Sequence, residues 1–268
     1  MGDLAGNAIL PGERIALIVA HPDDETLGLG AQMARMPGLT IAHATDGAPR
    51  DLGDAARRGF ASADAYAAAR REELEAAVAL AGIPADALLG LGFADQDACN
   101  NLVPLALTLA EFIAERRFEV ILTHAYEGGH PDHDAIAFAV SEAVRLLAAR
   151  SRTEAPLVVE MPYYRLGPEG LIAQSFPPDP AAPELALWLT PAERAMKRRM
   201  YDAHASQAEV LAGFPIACER FRVAPRHDFD ALPNGGLLNY ERFEWGLTGE
   251  RWLALVAQAR STLAEGPP

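Results

Sequence analysis

The first strongly patterned segment is Arg14-Ile15-Ala16-Leu17-Ile18-Val19-Ala20, an almost unbroken apolar run. A strand with one wet face would alternate, so this run predicts a strand buried on both faces of a parallel sheet. It stops at His21-Pro22-Asp23-Asp24-Glu25, where Pro22 cannot continue a ladder and the acids suit a helix N-terminus. Residues 26–36 then read as a helix, and 39–45 as a second strand broken by Asp46-Gly47-Ala48-Pro49. A long Ala/Arg/Glu-rich stretch, about 62–81, has strong helix propensity and ends at Gly82-Ile83-Pro84. The rhythm repeats: a short strand over 88–93, a helix over 105–117, a strand over 118–123, a helix over 133–149 and a strand over 157–161. Beyond that, residues 166–183 are too rich in Pro and Gly for regular elements and read as a lid or mobile segment. Helix resumes at Thr190, a natural N-cap with Pro191 at the first helical position, and runs to about 211. Short strands are expected over 220–223 and 237–243, and a closing helix over 250–263.

Strands alternating with helices predict an α/β fold with a mainly parallel sheet and right-handed crossovers. We read a Rossmann-like three-layer arrangement with strand order near 3-2-1-4-5. A single domain over residues 1–268 is expected, with a core of about 14–162 and a lid plus C-terminal elaborations over about 163–268. Charge narrows the range of partners. With 23 Lys+Arg against 37 Asp+Glu, the 268-residue chain has a formal net charge of −14, which disfavours nucleic acid and anionic membrane surfaces. No run approaches the ~20 apolar residues that span a bilayer, and the first residues lack the basic start and apolar core of a signal peptide. Cys99 and Cys218 are the sole cysteines, far apart, so neither a disulfide framework nor a Cys-type zinc site is legible. These features predict a soluble, cytoplasmic protein of a reducing compartment, with homo-oligomerisation left open.

The chemistry sits in two clusters. His21-Pro22-Asp23-Asp24-Glu25 follows the first strand and His130-Pro131-Asp132-His133 follows the fourth. Both therefore fall at carboxyl ends of parallel strands, where open α/β sheets build their sites. In a 3-2-1-4-5 sheet these two strands are neighbours, and the clusters face one crevice. Imidazole and carboxylate together suit Zn²⁺, whose catalytic sites keep three protein ligands and a water. His21 and Asp24 can reach one ion from a single turn, and His133 can add the third ligand from the opposite loop. Asp23 is then free to take a proton from water. His130 and Asp132 are candidates for oxyanion stabilisation and for orienting the ligands. Fe²⁺ would accept the same donors.

These residues carry a resemblance. Ala20-His21-Pro22-Asp23-Asp24-Glu25 with His130-Pro131-Asp132-His133 resembles the PIG-L-type, LmbE-like zinc N-deacetylases. Thr45-Asp46-Gly47, Arg70-Arg71-Glu72-Glu73-Leu74, and Lys197 with His204-Ala205-Ser206-Gln207 resemble further stretches of that family, in its order. The resemblance implies zinc on His21, Asp24 and His133, Asp23 as general base, His130 as the charged group steadying the tetrahedral intermediate, and Arg70 as a contact near substrate. It also implies an N-acetyl substrate on an amino sugar or sugar-bearing metabolite. Residues 50–61 and 166–183 depart from the family pattern, and both are expected to shape substrate choice.

Plainer readings stand beside these. Asp23-Asp24-Glu25 could simply cap a helix, and Arg70 could pair with Glu73 one turn on. Gly28-Leu29-Gly30 lacks the third glycine of a dinucleotide loop and reads as close helix packing. His43 reads as a core residue, His204 and Gln207 as supports, and His124 as lying on the rim of the cleft. Two rival functions use the same scaffold: an amidase for larger N-acyl groups, and a non-catalytic metal- or sugar-binding module. Asp23 beside a full ligand set favours catalysis, because binding alone needs no base.

Overall fold

The structure is a computed structural model that describes residues 1–6, 8–150, 155–243 and 245–265. A short N-terminal helix, α1 (Gly2–Ala5), precedes strand β1 (Ile15–Val19). There follow α2 (Asp24–Leu29), β2 (Thr40–Pro49), α3 (Gly53–Arg57), α4 (Ala63–Ala79), β3 (Leu88–Asp95), α5 (Leu102–Arg116), β4 (Val120–His124), α6 (Pro131–Arg150) and β5 (Leu157–Met161). Strands β1 to β5 are parallel, in the order β3-β2-β1-β4-β5, as the alternating pattern predicts. Ile18 pairs with Ala42 on one side and Thr123 on the other, so β1 is central.

The C-terminal third adds to this sheet. β9 (Cys218–Val223) runs antiparallel to β5, and β8 (Leu185–Trp188) antiparallel to β9, giving seven strands in all. Helices α7 (Pro191–Ala203), α8 (Ala208–Leu211) and α9 (Gly249–Glu265) lie in the same third of the chain. Thr190 caps α7 through a reciprocal capping box with Glu193, with Pro191 at its first turn.

The apolar run of β1 is explained by two cores. Ala16, Ile18 and Ala20 face one layer with Leu105, Leu109, Phe138 and Trp252 from α5, α6 and α9. Ile15, Leu17 and Val19 face the other with Leu27, Leu74, Val78, Met200 and Phe221. Each such fully buried aliphatic side chain contributes about 1.5–3 kcal/mol, so a strand polar on either face could not occupy this position.

Several expectations are corrected. The helix read over 26–36 ends at Leu29, and a 3₁₀ turn at Met33–Arg35 follows. The expectation that 166–183 lacks regular structure fails at its start. A hairpin of β6 (Tyr164–Gly167) and β7 (Gly170–Ala173) forms there, its two-residue turn closed by Gly170 at φ 137°. The strand expected over 237–243 is a 3₁₀ turn at Asn239–Arg242. Its polar groups go to a loop, not to a strand: Asn239 N–H donates to Gly128 O (2.8 Å) and its side-chain amide to Gly129 O (3.1 Å). The helix read as continuous to 211 breaks at His204, whose ring turns inward, and resumes as α8. Among the described residues, no helix is long and apolar enough to cross a membrane.

Candidate functional site

β1 and β4 lie side by side, so the loops at their carboxyl ends meet. Asp24 is the hub. It accepts the His21 backbone N–H at 2.8 Å, with His21 Nδ1 at 3.3 Å and His133 Nε2 at 3.4 Å from its carboxylate oxygens. His21 Nε2 lies 3.1 Å from Asp95 and 3.2 Å from Asp132. Asp132 also accepts the backbone N–H groups of Gln96 (2.7 Å) and Ala98 (3.1 Å), tying the start of α6 to the end of β3. His21, Asp24, His133 and Asp132 are all buried. Their donor atoms fall into overlapping groups, His21 with His130 and His133, and Asp24 with His124 and His133, each within 4.8 Å.

The donor set fits a divalent cation. His133 is the member common to both of these groups; its Nε2 faces the Asp24 carboxylate at 3.4 Å, and its buried Nδ1 has no hydrogen-bond partner among the described residues. A buried ring nitrogen without a partner is costly unless a ligand takes it. Burial alone would lower the pKa of His21, but the Asp95 charge and hydrogen bonds to Asp132, Asp24 and Asp95 outweigh it and hold it well above its usual value. For Asp24, burial is outweighed by His133 and His124, and its carboxyl stays well below the usual range. The acids around His21 thus stabilise positive charge at this point of the site, and the imidazoles keep Asp24 anionic.

His124, expected on the rim, is instead fully buried under the cluster and stacked on His133 at 4.0 Å. The Ala20 N–H donates to its Nε2 at 2.9 Å. That bond occupies the Nε2 lone pair, so the 3.4 Å approach to Asp24 is a contact without a hydrogen bond. Burial, with His133 beside it, pushes His124 down to about 3. It is a neutral floor beneath the site.

Asp23 occupies φ 142°, ψ −25°, backbone normally reserved for glycine. Such strain costs on the order of 1–3 kcal/mol and persists only where the surroundings enforce it. Two clamps do so. Arg70 donates to Asp23 Oδ2 (3.1 Å), to Pro22 O (2.7 Å) and to Gly47 O. Glu25, completely buried, accepts the Asp23 backbone N–H at 2.9 Å. Glu25 is itself gripped by His43 (3.0 Å), His204 (3.2 Å) and Thr26 Oγ1 (2.6 Å). Arg70 thus does not pair with Glu73, which instead accepts both the N–H and the hydroxyl of Ser206. Burial lifts the Asp23 carboxyl, Arg70 opposes that and Asp24 adds to it, leaving Asp23 at about 7.

His130 faces the same cleft, edge-on to His21 at 4.6 Å and 4.8 Å from Trp245. The Asp132 N–H donates to its Nδ1 at 3.2 Å, which leaves the ring hydrogen on Nε2. Burial and the charges of His21 and His133 hold its pKa well below the usual value. That direction favours His130 as a neutral N–H donor, where the resemblance implies a charged group.

A cleft of about 180 Å³ opens over these groups, with walls that include Tyr164, Gln207, Phe214 and Trp245. None of residues 166–183 lines it. Tyr164 is fixed from below. Glu127 accepts the N–H groups of Tyr163 (2.7 Å) and Tyr164 (3.0 Å), and a side chain at Gly129 would meet Tyr164 O at 2.0 Å. Asp95 escaped the sequence reading; Glu25 stood in the first motif, where it was read only as a helix-capping acid.

The fold and the cluster together define a class: a Rossmann-like α/β protein with a buried His/Asp centre suited to a divalent metal at the switch point of its sheet. Residues 16–144 match the family model described as PIG-L: GlcNAc-PI de-N-acetylase. Similar curated proteins are 1D-myo-inositol 2-acetamido-2-deoxy-alpha-D-glucopyranoside deacetylases. That of Kineococcus radiotolerans is 31% identical over 50% of this chain and 45% of its own length. A second, from Catenulispora acidiphila, is 28% identical over 56% of this chain and 57% of its own length. The chain thus spans about half the length of the curated relatives it matches. The crystal structure of A40926 pseudoaglycone deacetylase Dbv21 shares the fold, with a TM-score of 0.60 at 20% identity, covering 81% of this chain and 99% of that one.

Proposed function

We propose that the protein is a zinc-dependent hydrolase that removes an N-acetyl group from an amino sugar or sugar-bearing metabolite. The observation that carries this reading is the strained, clamped Asp23 beside the buried pair of His133 and the acid Asp24. That arrangement serves a positioned base next to a cation, and binding alone has no use for it. His21, Asp24 and His133 would hold the ion; their donors suit Zn²⁺ and would also accept Fe²⁺. Such an ion supplies Lewis-acid activation of amide hydrolysis.

The chain's own groups do the rest. Asp23 takes the proton from the attacking water and passes it to the leaving amine, while Arg70 holds its carboxylate in place. His130 donates its Nε2 hydrogen to the developing oxyanion, with Nδ1 locked by the Asp132 N–H. Asp132 and Asp95 orient His21. The deacetylase names of the curated relatives support the substrate class. We place the protein in the cytoplasm, acting as one domain whose C-terminal elements supply part of the cleft wall.

Two neighbouring substitutions test the division of labour. Asp23→Asn keeps the shape and removes the base, so kcat should fall by roughly 10²–10⁴ with metal content unchanged by elemental analysis. Asp24→Asn should lose metal. Metal loss in Asp23→Asn with a filled site in Asp24→Asn would reverse the assigned roles.

A further inference from the structure

The arginines on the Asp23 side of the cleft are committed, with one exception. Arg70 is bonded to Asp23, Pro22 and Gly47; Arg57 pairs with Asp54; Arg50 pairs with Asp46. Arg58 lines the cleft, yet among the described residues its side chain makes no hydrogen bond or ion pair, and its Nε is buried from water without a partner. This is not for want of acids, because the chain carries 37 of them. Asp54, one helical turn earlier and also on the cleft wall, is turned to Arg57 instead.

Arg58 is also held in place. It ends α3, with its backbone N–H bonded to Asp54 O and Ala55 O at 3.2 Å. Ala55 is buried in a small core with Ala48, Ala63 and Tyr66. A guanidinium on an anchored backbone with its fork unoccupied suits a carboxylate or phosphate, which it binds with two parallel charge-assisted hydrogen bonds. The aspartates of the wall are Asp23, Asp24 and Asp95 at the reacting end and Asp54, which is turned to Arg57, while Tyr164, Phe214 and Trp245 carry no charge. In a chain of net charge −14, an anionic ligand needs such a local cation to enter.

We infer that Arg58 is an anion subsite, so that the preferred substrate bears an oxyanion, carboxylate or phosphate, on the part that projects from the reacting amide. This rests on the deacetylase reading, whose substrate class it narrows. Arg58 then sets specificity by touching the substrate away from the bond that breaks.

The test uses the full metal-loaded chain and three probes: N-acetylglucosamine, N-acetylglucosamine 6-phosphate and N-acetylmuramic acid. Acetate release gives kcat/KM for each, and calorimetry on the same probes gives Kd without requiring turnover. At least one anionic probe should be favoured over the neutral one by about tenfold or more, as expected for a charge-assisted bond. Arg58→Gln should collapse that ratio towards one, and Arg58→Lys should keep part of it. Thermal unfolding checks that both variants fold. The phosphate and carboxylate probes separate the two sources of the anion. An equal preference in the parent, or a ratio untouched in Arg58→Gln, overturns the subsite even if all probes are deacetylated. Anionic preference in Kd with no acetate released from any probe would instead sink the deacetylase reading and leave the subsite standing.

Discussion

Replacing Glu25 by Gln is the sharpest probe of how the site is held. The carboxylate is fully buried and meets four groups: the Asp23 N–H at 2.9 Å, Thr26 Oγ1 at 2.6 Å, His43 at 3.0 Å and His204 at 3.2 Å. Burial would raise its pKa, but the bonds and charges of His204 and His43 overcome that and hold it far below the usual range. His204 is raised in turn: burial opposes its charge, and Glu25 more than compensates. A glutamine keeps the shape and one acceptor but removes the charge, leaving His204 without its counterpart. Removing one partner of a buried pair costs about 3–5 kcal/mol, and for a domain of this size each kcal/mol lowers Tm by roughly 2–4 °C. Calorimetry should therefore find Tm lowered by about 10 °C. The neutral amide oxygen holds the Asp23 N–H more weakly than the carboxylate does, so kcat should fall more than KM changes. A Tm within about 2 °C of the parent, together with an unchanged kcat, would refute the clamp.

Two further substitutions follow from close packing. Gly47 sits at φ +69°, and a Cβ there would lie 2.4 Å from the Arg70 guanidinium. Gly47→Ala should therefore displace Arg70 from Asp23 and cost activity beyond the 1–3 kcal/mol typical of overpacking; full activity with an unmoved Arg70 would show that the loop yields freely. Lys197, fully buried, donates to Glu219 (2.7 Å) and to Leu27 O (2.8 Å). Lys197→Ala should cost about 3–5 kcal/mol in denaturant unfolding, with much of that recovered when Glu219→Gln is added.

What was legible in the sequence was what repeats or clusters. The apolar run of β1 and the alternation after it define the sheet, because burial on both faces leaves no polar positions. The two His/Asp clusters could be brought together because strand order puts β1 beside β4. Arg70 illustrates the limit. Its spacing to Glu73 suits an intrahelical pair, yet tertiary geometry sends it 47 residues back to Asp23. His124 and Glu127 are single residues in a loop entry, with no periodicity to mark them. The hairpin at 164–173 was hidden because its glycines and prolines serve the turn as much as they break strands. The 3₁₀ turn at Asn239–Arg242 depends on bonds to Gly128 and Gly129, over a hundred positions away, which no local pattern encodes.

The central claim is that a buried metal centre at His21, Asp24 and His133 drives N-acetyl hydrolysis. Its most direct test is acetate release from N-acetylated sugars by protein stripped with chelator, then titrated with Zn²⁺ while bound metal is counted. The account predicts no turnover when stripped, recovery that saturates at one ion per chain, and no recovery in His133→Ala. Undiminished acetate release from metal-free protein, or full recovery in His133→Ala, would contradict it.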